Sequence, residues 1–465
     1  MIDPLVFDSE LIRRYDRAGP RYTSYPTAVQ FSDDFGVAEF SAAARGSNDG
    51  TAAKPLSLYV HVPFCASPCF YCACTRVITR NAELGHRYVS RIGREIDHVS
   101  GLFDRSRAVE QLHFGGGTPT FLDIAQLASI IDQLDRRFTL KHDLTREFAV
   151  EIDPRTVDKH RLKELLGLGF NRISLGVQDF DARVQAAINR VQSQAHTVEL
   201  IDAAHTAGLR SVNVDLIYGL PLQTPHSFAQ TLSAVIAARP DRIAVYSYAH
   251  LPGRFKAQRQ IAKNQLPSAA DKLDLFRLTV ETLTTAGYVY VGMDHFALPD
   301  DELVQAQRDG SLQRNFQGYS TRASCDLVGL GMSSISKIAD TYSQNVRSLA
   351  GYSGAIDVLG LATERGIQLS RDDILRRDVI HALMCNLALD FAAIEQRHGI
   401  NFERYFDREL ESLLPFYADG LAERRGRALR VTGRGQLLVR NVAMQFDAYL
   451  GASNEQAVPR YSRSI

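Results

Sequence analysis

This chain carries no net charge: Lys plus Arg and Asp plus Glu each number 53 among its 465 residues. A general nucleic-acid or anionic-membrane surface therefore has no support, which leaves room only for a local basic pocket. Also missing is any apolar run long enough to span a bilayer. The opening residues, Met1-Ile-Asp-Pro-Leu-Val-Phe-Asp8, bring acids early and show no basic stretch leading into an apolar one. No secretory signal is predicted, and the expected compartment is the cytoplasm. Cysteine is scarce, and four of the six fall between positions 65 and 74. That crowding argues against a disulfide framework and for a metal site; Cys325 and Cys385, standing alone, read as small buried hydrophobes. What is present, 45% hydrophobic and 23% charged residues, is the balance of a folded protein long enough for two or three units.

From residue 56 the chain alternates short β-branched or aromatic runs with amphipathic stretches. Strands are predicted at 58–62, 109–114, 148–152, 172–177, 211–217 and 242–248. Helices are predicted at 84–102, 124–138, 158–168, in segments up to 207, and at 225–238. Six strands, each followed by a helix, predict a parallel α/β barrel or wound sheet, whose ligand site gathers at the C-terminal strand ends. The first fifty residues do not fit the repeat: 20–26 looks extended, and 45–51 reads as a flexible join. Past about residue 355 the alternation stops. Helices are expected at 373–388, 392–398 and 402–414, a small hairpin over 426–435, and a closing helix near 437–450.

The unusual motifs sit at those strand ends. Cys65-Ala-Ser-Pro-Cys69-Phe-Tyr-Cys72 follows the first strand, and Pro63 and Pro68 forbid a regular helix there. Its C-x3-C-x2-C spacing can wrap three thiolates around one inorganic centre. A structural zinc site would want four protein ligands, and the C-x-C spacing of Cys72 to Cys74 closes a tetrahedron poorly. A cubane iron–sulfur cluster held by Cys65, Cys69 and Cys72 keeps one iron free to chelate the amino and carboxylate groups of a methionine moiety, as in S-adenosylmethionine cleavage. Gly115-Gly-Gly-Thr-Pro-Thr120 lets backbone amides approach a small polar ligand, and without a following Gly-Lys-Ser/Thr it is not a nucleotide P-loop.

Glu151, Gln178 and Asp215 end or nearly end the next three strands. Three polar side chains at successive apolar strand mouths favour a site for ribose hydroxyls and an ammonium. Arg190 is a candidate carboxylate clamp, set against the alternative of a solvated helical face. His61 and His113 read as packed core residues, and Arg146, Arg376-Arg377 and Arg424-Arg425 as surface charges.

With these residues in hand, the chain closely resembles the oxygen-independent coproporphyrinogen III oxidases (dehydrogenases) of the radical S-adenosylmethionine superfamily, nearly end to end. The motifs that carry the resemblance are Pro20-Arg-Tyr-Thr-Ser-Tyr-Pro26, Tyr59-Val-His-Val-Pro-Phe-Cys65, the cysteine loop with Cys74, Gly115 to Thr120, Glu151-Ile-Asp-Pro-Arg155, Gly176-Val-Gln-Asp-Phe180, Asp215-Leu-Ile-Tyr-Gly-Leu-Pro221, Ala249-His-Leu-Pro252 and Arg376-Arg-Asp-Val379. A haem-binding chaperone branch of the same superfamily typically lacks the Arg-Tyr-Thr-Ser-Tyr segment and has Phe at the position of Cys74. Both features here take the oxidase form. Two departures are Phe70-Tyr71, where the family often has Tyr-Phe, and Phe114, where Trp is usual.

The resemblance implies an incomplete six-stranded (β/α) radical-SAM barrel at 51–355. It also implies an N-terminal extended or helical segment at 1–50 contributing to the substrate site, and a mainly α-helical C-terminal domain at 356–465. It implies decarboxylation of the ring A and B propionates of coproporphyrinogen III to vinyl groups, giving protoporphyrinogen IX through a 5′-deoxyadenosyl radical. The implied cofactors are a 4Fe–4S cluster and two S-adenosyl-L-methionine molecules, with Cys74 as an accessory residue. Tyr59, Gly116, Glu151 and Ile335 correspond to contacts of the cluster-bound molecule. Tyr71, Gly117, Thr118, Gln178, Arg190, Asp215 and Ala249 correspond to contacts of the second. Arg21 is the candidate partner of a substrate propionate. A low-potential electron donor and an unidentified electron acceptor are expected, with neither nucleic acid nor membrane as partner, for a monomeric chain.

Overall fold

The structure, a computed structural model, describes residues 3–49, 53–322 and 325–450; Gly50 and Thr51 of the expected join lie outside them. Six strands are β1 (Leu56–Val62), β2 (Ala108–Gly116), β3 (Glu147–Ile152), β4 (Arg172–Gln178), β5 (Ser211–Tyr218) and β6 (Arg242–Ser247). They pair in parallel in the order of the chain, as the six apolar runs predict. β1 is buried at six of its seven positions, the mark of a strand covered on both faces.

The intervening helices begin where side chains cap their free amides. Asp123 and Gln126 form a capping box at Ile124–Arg137, and Thr224 and Ser227 do so at Pro225–Ala238, with Pro225 in the first turn. Asn81 caps the long helix Ala82–Ser100. Each such cap is worth about 1 kcal/mol.

The sheet does not stop at six strands. β7 (Asp326–Leu330) lies parallel to the other edge of β1, and β8 (Ile335–Ile338), β9 (Thr341–Asn345) and β10 (Thr363–Gln368) continue it antiparallel. Strand structure thus runs on past residue 355. Two buried polar ties hold this addition. Arg107 Nη2 donates to Asp326 Oδ2 at 2.5 Å with both side chains almost fully covered. Glu95 accepts from the Gly331 amide, Asn345 Nδ2 and Tyr352 OH at 2.6–2.8 Å.

By contacts the chain divides into two units interleaved along the sequence. One is Phe31–Pro267 with Ser324–Gln368, which carries β1 to β10; the other is Met1–Gln30, Ser268–Ala323 and Leu369–Ile465. The latter is mainly helical, with helices such as Ala269–Thr285 and Arg371–Asn386 and a three-stranded sheet of Ala388–Asp390, Ala422–Arg425 and Ala428–Val431. Its core includes Phe391, Phe402, Phe406 and Phe446, the first two stacked at 4.2 Å. Tyr22 and Tyr25 of the N-terminal segment are buried in the same core: Tyr22 OH donates to Asp447 and Tyr25 OH accepts from the Ala448 amide. Among the described residues no helix is long and apolar enough to cross a membrane.

Candidate active site

The cysteine loop is anchored at its base by a two-residue parallel bridge, Phe64–Cys65 against Val77–Ile78. Its carbonyls take several anchoring bonds. Arg76 donates to the carbonyls of Cys69, Cys72 and Cys74, Asn189 Nδ2 to Pro68 O, and Gln258 Nε2 to Tyr71 O. Cys65, Cys69, Cys72 and Cys74 all line one cavity of about 400 Å³ at the C-terminal ends of the strands.

The glycines that follow β2 are required first by the protein's own packing. A Cβ on Gly117 would stand 2.7 Å from Pro63 O, and Gly116 has φ 118°, where its Cβ would strike the His61 ring. Gly117 and Thr118 donate to Val62 O and Phe64 O, which locks this turn to the end of β1. The turn brings the Gly116 amide to 3.1 Å from Glu151 Oε2. Glu151 Oε1 lies 3.1 Å from His113 Nε2. Burial tends to raise the Glu151 carboxyl, but His113 and the Gly116 amide overcome it and hold it below the usual range. His113 is thus a hydrogen-bond partner of Glu151 rather than simple core packing. His61 is buried and bridged to Tyr59 OH and Thr75 O.

β4 ends in a register shift between Gly176 and Gln178, and Gln178 has φ 69°, a costly conformation for a residue with a Cβ. The shift sets the Gln178 amide on the cavity wall. Asp215 accepts from Ser174 Oγ at 2.9 Å and Asn213 Nδ2 at 3.0 Å, and burial pushes its carboxyl up to about 6 against those bonds. Arg190 is buried. Its Nη2 donates to Gly176 O, while Nη1 lies 3.0 Å from Asp153 Oδ2 and 3.4 Å from Cys69 Sγ.

Of the residues expected at the site, Tyr71, Gly116, Gly117, Thr118, Glu151, Gln178, Arg190 and Asp215 share the cavity with the four cysteines. Tyr59 is not on its wall; it stacks on His113 with ring centroids 5.7 Å apart. Ala249 follows β6 and its carbonyl accepts from Gln258, and Ile335 opens β8. Arg21 belongs to the other unit, where it forms an ion pair with Asp294. Asp153, Arg155, Arg76, Ser174 and the remote Gln258 were given no role by the sequence. Asp153 and Arg155 stood in a motif already noted, Glu151-Ile-Asp-Pro-Arg155. Arg376 is no free surface charge: it pairs with Asp372 and Glu409 and lies over Phe406.

The donor set fits an iron–sulfur cluster with an adjoining small-molecule ligand. A hydrogen bond with the Cys74 thiol pulls the Cys72 thiol down, burial opposes it, and Arg76 adds to the pull, favouring a thiolate donor. The Nε atoms of Arg76 and Arg190 are buried on this cavity and make no hydrogen bond among the described residues, leaving two cationic donors for a ligand. No three His, Cys, Asp or Glu side chains among the described residues are drawn in tightly enough to hold a single metal ion. The fit therefore rests on the donor set and the cavity.

Residues 59–235 match the family model described as the Radical SAM superfamily, and residues 369–438 match that of the HemN C-terminal domain. The chain is 51% identical over 465 residues to an oxygen-independent coproporphyrinogen III oxidase of Pseudomonas aeruginosa, covering 100% of both. It is 46% identical over 464 residues to that of Escherichia coli, again covering 100% of both. A solved structure described as coproporphyrinogen III oxidase (HemN) from Escherichia coli, a radical SAM enzyme, superposes with a TM-score of 0.91 at 46% identity, over 96% of this chain and 99% of that one.

Proposed function

We propose, from the premise that this chain belongs to the oxygen-independent coproporphyrinogen III oxidases of the radical S-adenosylmethionine superfamily, that its cavity takes two S-adenosylmethionine molecules beside the cluster. The family reaction in haem biosynthesis is its activity: oxidative decarboxylation of the ring A and B propionates of coproporphyrinogen III to vinyl groups. The observation that supports the two-molecule reading is the shared cavity, which the thiols of the β1 loop line together with Gln178 of β4, Asp215 of β5 and Arg190.

When bound, the cluster and the sulfonium supply a 5′-deoxyadenosyl radical that takes a hydrogen atom from the propionate β-carbon. The chain's residues bind and orient. Cys65, Cys69 and Cys72 hold the cluster and Cys74 backs Cys72. Tyr59, Gly116, Glu151 and Ile335 serve the molecule on the open iron, with Glu151 kept anionic by His113 to accept its ammonium or hydroxyls. Tyr71, Gly117, Thr118, Gln178, Arg190, Asp215 and Ala249 serve the second, with Arg190 offering its unused Nε to a carboxylate. Arg21 meets a substrate propionate in exchange for Asp294. A low-potential donor and a separate acceptor pass the electrons, and the enzyme works as a cytoplasmic monomer.

Losing one partner of a buried charged hydrogen bond costs ~2–5 kcal/mol, well over tenfold in affinity. Anaerobic equilibrium binding of labelled S-adenosylmethionine is expected to saturate at two equivalents per cluster, and at about one in Arg190→Ala. Wild-type saturation at one equivalent sinks the two-molecule reading. Arg21→Ala is expected to lose decarboxylation while keeping substrate-free cleavage of S-adenosylmethionine; equal loss of both removes Arg21 from the substrate.

A further inference from the structure

Two guanidinium groups converge on one sulfur. Arg190 Nη1 stands 3.4 Å and Arg155 Nη2 3.7 Å from Cys69 Sγ. Among the described residues the other two cluster cysteines have no such partner: Cys65 Sγ meets the Thr118 hydroxyl at 3.5 Å, and Cys72 Sγ the Cys74 amide at 3.4 Å. Asp153 is the anchor of both cations. It accepts from Arg155 Nη2 at 2.6 Å and Nε at 3.0 Å, and from Arg190 Nη1 at 3.0 Å. Asp153 is itself fixed as the cap of the turn Pro154–Thr156. Arg190 has the Gly176 carbonyl as well, whereas the Arg155 guanidinium hydrogen-bonds only Asp153 and Cys69 among the described residues.

A hydrogen bond from a cation to a thiolate stabilises the more negative, reduced state of a cluster, and so raises its reduction potential. We infer that Arg155, oriented by Asp153, is a positioning residue that donates to the Cys69 sulfur and sets the potential at which the cluster accepts its electron. This rests on the reading of Cys65, Cys69 and Cys72 as the cluster ligands. The step is a one-electron reduction of the 4Fe–4S centre by a low-potential flavin or iron–sulfur donor; Arg155 stays cationic throughout and no proton moves. Arg155 thereby raises the cluster toward the reach of that donor, a role separate from the ligand-binding one of Arg190.

The experiment is an EPR-monitored redox titration of anaerobically reconstituted holoenzyme, with dithionite as reductant and iron counted in every sample. Arg155→Gln is expected to keep wild-type iron and to lower the reduced-to-oxidised ratio at fixed potential about tenfold, equivalent to about 59 mV. Arg155→Lys, which keeps the charge without the fork, is expected to fall between. An unchanged or raised potential in Arg155→Gln with full iron overturns the assignment. Should Arg155→Gln fail to take up iron, Arg155→Lys decides: a lowered potential supports the role and an unchanged one overturns it. A wild-type protein with no reducible cluster would instead sink the ligand reading.

Discussion

Gln258 joins the cysteine loop to the segment after β6. Its Nε2 donates to Tyr71 O at 3.0 Å and to Ala249 O at 3.1 Å, and its Oε1 accepts from the Leu251 amide at 2.5 Å. The side chain is 1% exposed. Gln258→Leu keeps most of the volume and removes all three bonds. Each buried group left without a partner costs ~1–3 kcal/mol. Tyr71 and Ala249 are only partly buried and Leu251 is exposed, so water recovers part of the loss, and the low end, about 3 kcal/mol in total, is the reasonable figure. If that loss falls on the fit of the two segments around the second S-adenosylmethionine, its affinity drops roughly hundredfold. On the proposed assignment of Tyr71 and Ala249 to the second molecule, the one on the cluster is expected to be spared. Anaerobic equilibrium dialysis of the reconstituted variant is therefore expected to show full iron and about one equivalent bound at concentrations where the wild type binds two. Gln258→Glu keeps the acceptor but turns a carboxylate toward two carbonyls, and is expected to do no better. A Gln258→Leu protein that binds both equivalents with wild-type affinity refutes the reasoning.

Cys65→Ser, Cys69→Ser and Cys72→Ser are each expected to lose the cluster and all turnover, while Cys74→Ser keeps it; iron after anaerobic reconstitution decides, and equal loss in all four makes Cys74 a ligand. Burial pushes Glu95 up to about 7, so the folded chain holds a proton there that the unfolded chain releases near the ordinary value of 4.5. Its contribution is therefore fully present below about 4.5 and is lost as pH rises through about 7. The size is roughly 3 kcal/mol at most. Denaturant unfolding from pH 4.5 to 8 is expected to show a fall in the wild type that is absent in Glu95→Gln. Asp215, at about 6, is flanked by Glu151, which raises it, and Arg190, which lowers it. Binding of the second S-adenosylmethionine should weaken about tenfold per pH unit below 6 if it needs the carboxylate, and Asp215→Asn should bind weakly with no such slope; parallel slopes in the two proteins would contradict the role.

The six parallel strands were legible because each is a short apolar run and the first five are followed by helices. The rest of the sheet was not, for reasons visible in its residues. β9 is Thr341-Tyr-Ser-Gln-Asn345, buried at every position yet polar in composition. Its Gln344 donates to Ser333 O and its Asn345 to Glu95 and Gly331 O, partners that no local pattern announces. β10, Thr363-Glu-Arg-Gly-Ile-Gln368, is buried only at Gly366 and reads as a loop. The site was more legible than the fold around it, since cysteine spacing and the strand-end rule both act over a few residues. The residues that went unnoticed work at a distance or in disguise. Gln258 is 187 positions from Tyr71, and Glu409 is 33 from Arg376. Asp153 looks like the ordinary cap that Asp-Pro suggests, and it is one, but the same carboxylate also anchors two arginines.

The charges of the cavity then separate its three carboxylates by role. Asp153 faces Arg155 and Arg190, and these outweigh burial to hold its carboxyl below the usual range. Glu151 is also held low against burial, by its hydrogen bonds with His113 and the Gly116 amide. Among the described residues Asp215 takes hydrogen bonds only from neutral groups, Ser174 and Asn213, and burial wins, so of the three it alone rises. A buried carboxylate without a cation is costly, and a ligand that brings positive charge recovers that cost on binding. S-adenosylmethionine carries both an ammonium and a sulfonium. Asp215, which no cationic side chain hydrogen-bonds among the described residues, is therefore the carboxylate with most to gain from that ligand, and its place on β5 puts the gain four strands along the sheet from the cysteine loop that follows β1.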